Sequence, residues 1–508
     1  MGGDGATQPD EQEAGEQEGV RYGSPTGRWI LLASILGSSV AALDATVVNV
    51  ALPAIGEDLG ARLSGLQWTL NGYLLTLSAL ILTGGALGDR YGRRRIFVVG
   101  VVWFTAASAL CGAALNVEML IAARVLQGIG GALLTPASLA IIQASFHPDD
   151  RARAVGAWSG LGGISAAVGP FLGGYLVDAA SWRLIFGLNI PLAVVVVAVA
   201  VRHVPETIDP TSARRPDVLG AVAGAAGLAG LTFALIEAPE RSITSPAVII
   251  AAAVGLIGLV AFVLVERRGT HPMLPLDIFS SRQFTSANVV TFVVYGALSG
   301  VFFLLVVQLQ QVVGYSPLQA GVATFPITLL MLALSARAGA LAQRIGPRLP
   351  MAAGPITMAL GLLLMTRIGA GAAYPTEVLP AVIVFGLGLS FTVAPLTATV
   401  LAAADARHAG VASGVNNAVA RVAGLVTIAA LPIVAGLTGD DYQNPAAFAS
   451  GFKIAVTVSA ALAALGGVIA FFEIENDVLP SAAPARRHHC AVDGTPLNPP
   501  QELKVAGS

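Results

Sequence analysis

Charge is what this 508-residue chain has least of. Asp, Glu, Lys and Arg together make up 11% of it, against roughly 25% in soluble domains. That excludes a water-soluble globule, and with 55% of the residues hydrophobic the chain is expected to be an integral membrane protein. Neither sign predominates: the formal net charge is -2. A nucleic-acid partner, which needs a concentrated basic face, is therefore not expected. Cysteine is nearly missing as well. The two present are Cys111, in an apolar segment, and Cys490, in a polar tail. No internal disulfide is expected, and the fold must rest on packing. The run His488, His489, Cys490 has no second Cys or His cluster to complete a metal site, so no metal is expected. The paired aspartates of "HPDDRAR", 147–153, lack the second acidic motif of a magnesium–diphosphate site and read as an inner loop with a helix cap. Residues 1–28 carry no apolar run of the kind a cleavable signal peptide needs. They read as a disordered tail, as does the polar stretch 473–508.

Long apolar runs are what the chain has instead. About twenty apolar residues cross a ~30 Å hydrocarbon core as a helix. Such runs lie near 29–52, 66–87, 96–115, 118–142, 155–177, 186–204, 217–236, 246–265, 286–311, 318–342, 350–368, 377–399, 410–436 and 453–472. The signal is weakest over 217–265, where Gly and Ala dilute it. Basic residues set the orientation, because they collect in cytoplasmic loops. With an N-terminus inside, only Arg62, Arg183, Arg241, Arg367 and Lys453 of the 28 basic residues fall outside, and Arg124 and Arg421 fall within spans. An even span count puts both termini in the cytoplasm. Arg outnumbers Lys, which occurs only at 453 and 504, and Ala and Gly abound. That composition suggests a GC-rich bacterial genome, and so a bacterial inner membrane.

The chain also repeats itself. "GALGDRYGRRRI" at 85–96 aligns with "GALAQRIGPRLP" at 339–350, sharing Gly, Ala, Leu, Arg, Gly and Arg in register. Parallel repeats of this kind build many secondary transporters, with the binding site between the halves. The two copies lie eight spans apart rather than six, which predicts two extra helices between six-helix halves. The expected layout is a tail over 1–28, a six-helix bundle over 29–204, a linker with two extra spans over 205–285, a second bundle over 286–472, and a tail over 473–508.

Four motifs together resemble the major facilitator superfamily, and within it the fourteen-helix drug:proton antiporter branch. The resemblance covers nearly all of residues 29–472. "GALGDRYGRRR" is similar to the loop signature after the second helix, with Gly85, Asp89, Arg90, Gly92, Arg93 and Arg94 in matching places. "LIAARVLQGIGGA", 120–132, resembles the fourth-helix motif with its buried arginine, here Arg124, followed by Gln127 and Gly128. "GGISAAVGPFLGG", 162–174, resembles the fifth-helix antiporter motif through Gly169, Pro170, Gly173 and Gly174. "LDATVVNVALP", 43–53, resembles the first-helix signature of the branch. In the second loop copy Gln343 stands where an acid often stands, which argues against a charge relay there. The resemblance implies an all-α major facilitator fold of two six-helix bundles plus two extra central helices.

Read from the residues themselves, Asp44 and Arg124 lie about 10 and about 9 Å below the outer surface at 1.5 Å per residue. Opposite charges at one depth suggest a pair, and ionisable residues within a membrane are functional by default. A structural pair holding helices together is the other reading. All six histidines fall in loops or tails, so proton coupling falls to carboxylates, with Asp44 and Arg124 as the candidates. Asp89 is the candidate latch between the inner ends of helices, with Gly85, Arg90, Gly92 and Arg93 around it. Asn49, Gln127, Gln308, Gln311, Asn417 and Arg421 are the candidate cavity residues, with Gln310 and Asn416 beside them.

The leading function is a proton-driven exporter of amphipathic small molecules such as drugs or antibiotics, working as a monomer in the lipid bilayer. It is expected to use no cofactor and to draw on the proton gradient. An uptake permease of the same fold is opposed by the antiporter motif. A membrane-embedded enzyme of lipid metabolism would need clustered acids at membrane depth, where only Asp44 is clear. With so few acids, neutral, weakly anionic or at most monocationic substrates are expected over dications. The topology makes a direct prediction. Cys490 should react with a membrane-impermeant thiol reagent in inverted vesicles and stay unlabelled in intact cells; labelling in intact cells would mean an odd span count.

Overall fold

The computed structural model describes residues 19–208, 217–269, 273–404, 409–439 and 441–479. His271, His408, the His488–Cys490 run and the rest of the tail from 480 lie outside the described residues, as do the first eighteen. Among the described residues, fourteen helices are long and apolar enough to cross a bilayer: α1 (Pro25–Leu59), α2 (Leu63–Tyr91), α3 (Arg93–Gly112), α4 (Val117–Ser145), α5 (Pro148–Ala179), α6 (Arg183–His203), α7 (Val218–Arg241), α8 (Pro246–Arg268), α9 (Arg282–Val312), α10 (Pro317–Ile345), α11 (Arg348–Met365), α12 (Tyr374–Ala402), α13 (Val411–Val434) and α14 (Pro445–Glu473).

One local device starts five of them. Ser24, His147, Ser245, Ser316 and Asn444 each accept a backbone N–H from the first turn, and each is followed by a proline at the first helical position. The cap satisfies an orphan donor, and proline there loses no hydrogen bond. This explains why α5 begins at Pro148, seven residues before its apolar run. The polar "HPDDRAR" is mostly its first turns rather than a loop. The same acids hold part of the stretch 1–28, which was expected to be a disordered tail. Val20 N–H donates to the Ser145 carbonyl at 2.8 Å, Tyr22 N–H donates to Asp150 Oδ2 at 3.1 Å, and Arg21 pairs with Asp149 at 3.4 Å. The chain is therefore docked from Val20 onward.

The helices pack as two copies of one pattern. In the first bundle α1 lies on α5, α2 and α3 on α4, and α6 on α1 and α3. In the second, α9 lies on α13, α10 and α11 on α12, and α14 on α9 and α11. The bundles meet symmetrically, α5 against α10 and α2 against α13. The loop repeat keeps its geometry too. Gly92 and Gly346 have φ of 108° and 88°, which L side chains rarely adopt. Past each glycine a backbone N–H is held by a side chain from beyond the bundle's last helix: Arg94 by Glu206 at 3.0 Å, Arg348 by Asn476 at 3.2 Å.

The extra pair, α7 and α8, packs on itself, and α7 also lies against α2 and α13 along the seam. Its Gly/Ala richness, which dilutes the hydropathy signal, is what allows the approach. A Cβ on Gly230 would lie 2.5 Å from both the Ala251 carbonyl oxygen and the Gly255 nitrogen. Gly230→Leu should therefore splay this pair and destabilise the protein by about 1–3 kcal/mol, as overpacking does. A lowered unfolding temperature in detergent would show it, and an unchanged one would refute the close packing.

Candidate functional site

Asp44 sits in the middle of α1, whose apolar neighbours cannot solvate a carboxylate. Its partners come from two other helices, α4 and α6. Arg124 Nη1 donates to Asp44 Oδ2 at 2.5 Å, and the two side chains are each 1% exposed. Arg124 and Gln127 are three apart on α4 and so share a face. Gln127 Nε2 donates to Asp44 Oδ1 at 2.8 Å, while its Oε1 accepts from Arg124 Nη1 at 2.6 Å. Arg124 Nε donates to the Thr69 carbonyl of α2 at 3.0 Å. From α6, Asn189 Nδ2 donates to Asp44 Oδ1 at 3.3 Å and to Ser108 Oγ at 2.8 Å. The guanidinium lies over the Tyr73 ring, 4.4 Å from its centroid.

Tyr73 has a second neighbour: it lines a cavity of about 860 Å³. The lining is drawn from Ser38, Ala41, Ala42 and Ala45 of α1, from α2 between Tyr73 and Asp89, Arg93 of α3, α4 between Thr135 and Gln143, Trp158 and Gly162 of α5, α13 between Val411 and Arg421, and Met273. They run from mid-depth, at Ala45 and Tyr73, down to Asp89 beside the Arg93–Arg95 cluster, and the end that carries this cluster is here called the basic end. The cavity thus opens at the basic end, and Tyr73 separates it from the Asp44–Arg124 pair.

The opposite end is closed by contacts between the bundles. Gln310 Nε2 donates to the Val50 carbonyl at 2.9 Å, Gln67 Nε2 to the Ile428 carbonyl at 2.7 Å, and Tyr442 Oη to the Ala61 carbonyl at 2.5 Å. Asp178 accepts from Ser316 Oγ at 2.7 Å and Leu318 N–H at 3.1 Å. The glycine motif of α5 belongs to this seal. Gly169 and Gly173 face Thr46 and Val47 of α1, Gly174 lies against Leu318 of α10, and the Pro170 carbonyl lies against Gly321.

At the basic end, Asp89 pairs with Arg93 at 2.8 Å across the α2–α3 turn and, among the described residues, reaches none of the second bundle. Gly85 borders the cavity beside Pro136, and Arg90 lies over Tyr91 at 4.9 Å. In the second loop copy Gln343 and Pro347 occupy the matching places, so this pair has no counterpart.

Of the candidate cavity residues, Asn417 and Arg421 line this cavity and four do not. Gln127 is engaged with Asp44. Asn49 donates to the Ala45 carbonyl of its own helix at 2.9 Å. Gln308 is buried and donates to the Ile368 carbonyl at 2.7 Å. Gln311 is half-buried in the π-helical turn that ends α9 at the sealed end. The reason is common to Gln127, Asn49 and Gln308: within a bilayer a side-chain amide finds carbonyls or charged partners before it finds a cavity. Asn416, too, turns inward, donating to Thr291 Oγ1 at 2.8 Å. Asn189, Ser108 and Tyr73 were missed as site residues. Asn189 had a signal, an amide ahead of the apolar run "IPLAVVVVAVAV".

Two repeated bundles around a cavity open at one end, with a buried ion pair behind its wall, define a membrane transporter rather than an enzyme. The sequence pattern of the Major Facilitator Superfamily matches residues 34–428, and the chain belongs to that family. It is 38% identical over 429 residues to a probable actinorhodin transporter of Streptomyces coelicolor, covering 82% of this chain and 74% of the relative. It is 34% identical over 418 residues to a tetracenomycin C resistance and export protein of Streptomyces glaucescens, covering 82% and 77%. The crystal structure of the peptide transporter POT superposes with a TM-score of 0.66 at 16% identity, covering 89% of this chain and 94% of that one. That last likeness concerns the fold alone.

The site predicts that Arg124→Lys impairs transport although the charge is kept. A lysine ammonium cannot reach Thr69, Gln127 and Asp44 in the planar arrangement of a guanidinium. Transport at the wild-type rate by a normally inserted Lys variant would show that the fork geometry is not needed.

Proposed function

We propose that this protein exports amphipathic small molecules of the antibiotic type across the cytoplasmic membrane in exchange for protons. In this reading it works as a monomer, with its basic end and both termini in the cytoplasm, and the proton gradient is its energy source. The observation that carries the reading is the enclosed Asp44–Arg124 pair behind the cavity wall. The relatives named for antibiotic transport, resistance and export support the direction, as does the small-residue motif of α5.

The pair supplies a two-state element. With the cavity open to the cytoplasm, Asp44 is ionised and its charge is matched by Arg124. This is the state that has released its proton and can take substrate. Once the cavity opens to the other side, a proton reaching Asp44 removes the attraction to Arg124. The guanidinium keeps Gln127, the Thr69 carbonyl and the Tyr73 face, so it is not left without partners. Loss of the 2.5 Å contact frees α1 from α4. Because α1 also carries Val50, a partner in the seal, movement of α1 couples the protonation of Asp44 to the opposite end. At the cavity mouth, Asp89 and Arg93 are placed to change partners as the bundles rock.

Asp44→Asn tests this directly, since it keeps the size and hydrogen bonding of the side chain and removes the proton site. Efflux of a neutral aromatic dye from cells lacking other pumps should fall to the level of cells without the protein, with expression and insertion unchanged. Wild-type efflux by this variant, still abolished by a protonophore, would assign the coupling to another group.

A further inference from the structure

Among the described residues, the cavity contains one cation without a protein counter-charge. Three charged side chains line it among the described residues: Asp89, Arg93 and Arg421. Asp89 and Arg93 pair with each other at the mouth, at 2.8 Å. Arg421, on α13, is half-buried with its Nε enclosed, and among the described residues it makes no hydrogen bond or ion pair. It lines the same cavity as Tyr73. Asp89 lies about 24 Å further along α2 than Tyr73 at 1.5 Å per residue, too far to neutralise it. Asp44 is closer, but it is turned away from the cavity and already matched by Arg124.

We propose that the preferred substrates are amphipathic anions: flat aromatic molecules bearing an ionised carboxylate, phenolate or sulfonate that Arg421 engages as their counter-charge. This rests on the cavity being the substrate site of the proposed exporter. A guanidinium whose Nε is enclosed and whose remaining donors face a largely apolar cavity gains when an anion joins it. Its planar fork offers two parallel N–H donors to a carboxylate or sulfonate. Asn417, one turn away and exposed to the cavity, adds an amide. Ile81, Leu82, Leu139 and Trp158 give the apolar and aromatic walls on which a ring system packs. A cation at the same depth would meet Arg421 with no acid beside it.

The purified full-length protein in lipid nanodiscs gives the test, with binding followed by fluorescence anisotropy and empty nanodiscs subtracted. The probes are matched in shape: anthracene-9-carboxylate, its methyl ester, and 9-anthrylmethylammonium. The carboxylate should bind about tenfold or more tightly than the other two, about 1.4 kcal/mol. Arg421→Gln should erase that order, with an unchanged unfolding temperature in the nanodisc showing that the variant is folded. Should the Gln variant fail to fold, Arg421→Lys decides, and should keep only part of the preference. Equal binding of the three probes to the wild-type protein would overturn the proposal. So would a wild-type order surviving in Arg421→Gln, or in Arg421→Lys where that variant decides. The assay needs neither a gradient nor a direction of transport. An anion preference in a protein whose Asp44→Asn variant still pumps would count against the proton role of Asp44 and leave this inference standing.

Discussion

Everything near the centre of the first bundle is arranged around one constraint, that a carboxylate and a guanidinium placed in hydrocarbon must satisfy each other and then every remaining lone pair and N–H. Removing one partner of such a buried pair typically costs about 3–5 kcal/mol, so the surrounding helices are not free to drift. Asp44 fixes α1 to α4 and α6, and Arg124 fixes α4 to α2 through the Thr69 carbonyl. The reach of Arg124 to α2 depends in turn on Gly128, one helical turn on. Any side chain there would run into Thr76 Oγ1 and the Tyr73 carbonyl. The glycine beside the arginine in "ARVLQG" is thus part of the same device, since it sets the distance over which the guanidinium works.

The second bundle keeps the frame and drops most of the charge. Gln343 stands in for Asp89, Pro347 for Arg93 and Asn476 for Glu206, while the positive-φ glycine and the backbone N–H held behind it persist. Its interior polar contacts are neutral, as between Asn416, Asn288 and Thr291. Titratable chemistry is concentrated in one half, and the other half supplies a wall with a single guanidinium. In the proposed cycle this division separates the group that takes the proton from the group that meets the substrate. The two ligands then compete through the conformation of the protein rather than for one carboxylate.

How much of this could be read from the sequence depended on what a one-dimensional pattern fixes. The spans were legible because hydrocarbon leaves no alternative to an apolar helix. The depth of Asp44 and Arg124 was legible because the rise per residue is constant, and the pairing followed from equal depth. The start of α5 was legible only in part: a helix cap was expected within 147–153, but Pro148, Asp149 and Asp150 look like a loop until His147 is seen to be that cap. Asn49, Gln308 and Gln311 were misplaced for a related reason. A polar residue in a span announces that it has a partner, and the pattern does not say whether that partner is a cavity or a carbonyl on the neighbouring turn. Tyr73 carried no signal at all, since its place between the ion pair and the cavity depends on how α2 is rotated.

The seal at the opposite end shows how small the driving force of the proposed cycle can be. It is built largely from neutral side chains donating to backbone carbonyls, Gln67, Gln310 and Tyr442 among them, and from glycine contacts between α5 and α10. A neutral hydrogen bond contributes about 0.5–1.5 kcal/mol net, so the hydrogen-bonded part of the seal amounts to a few kcal/mol. Moving a two-state equilibrium from 1:99 to 99:1 takes about 5.5 kcal/mol. One charge crossing 100 mV supplies about 2.3 kcal/mol, and each pH unit of gradient adds about 1.4 kcal/mol. A single proton on Asp44 is therefore of the right order to tip a seal of this kind. It would not be sufficient for a seal held by several buried ion pairs. Keeping the charge pair behind the cavity wall, and neutral amides in most of the gate, is what lets one proton move the bundles.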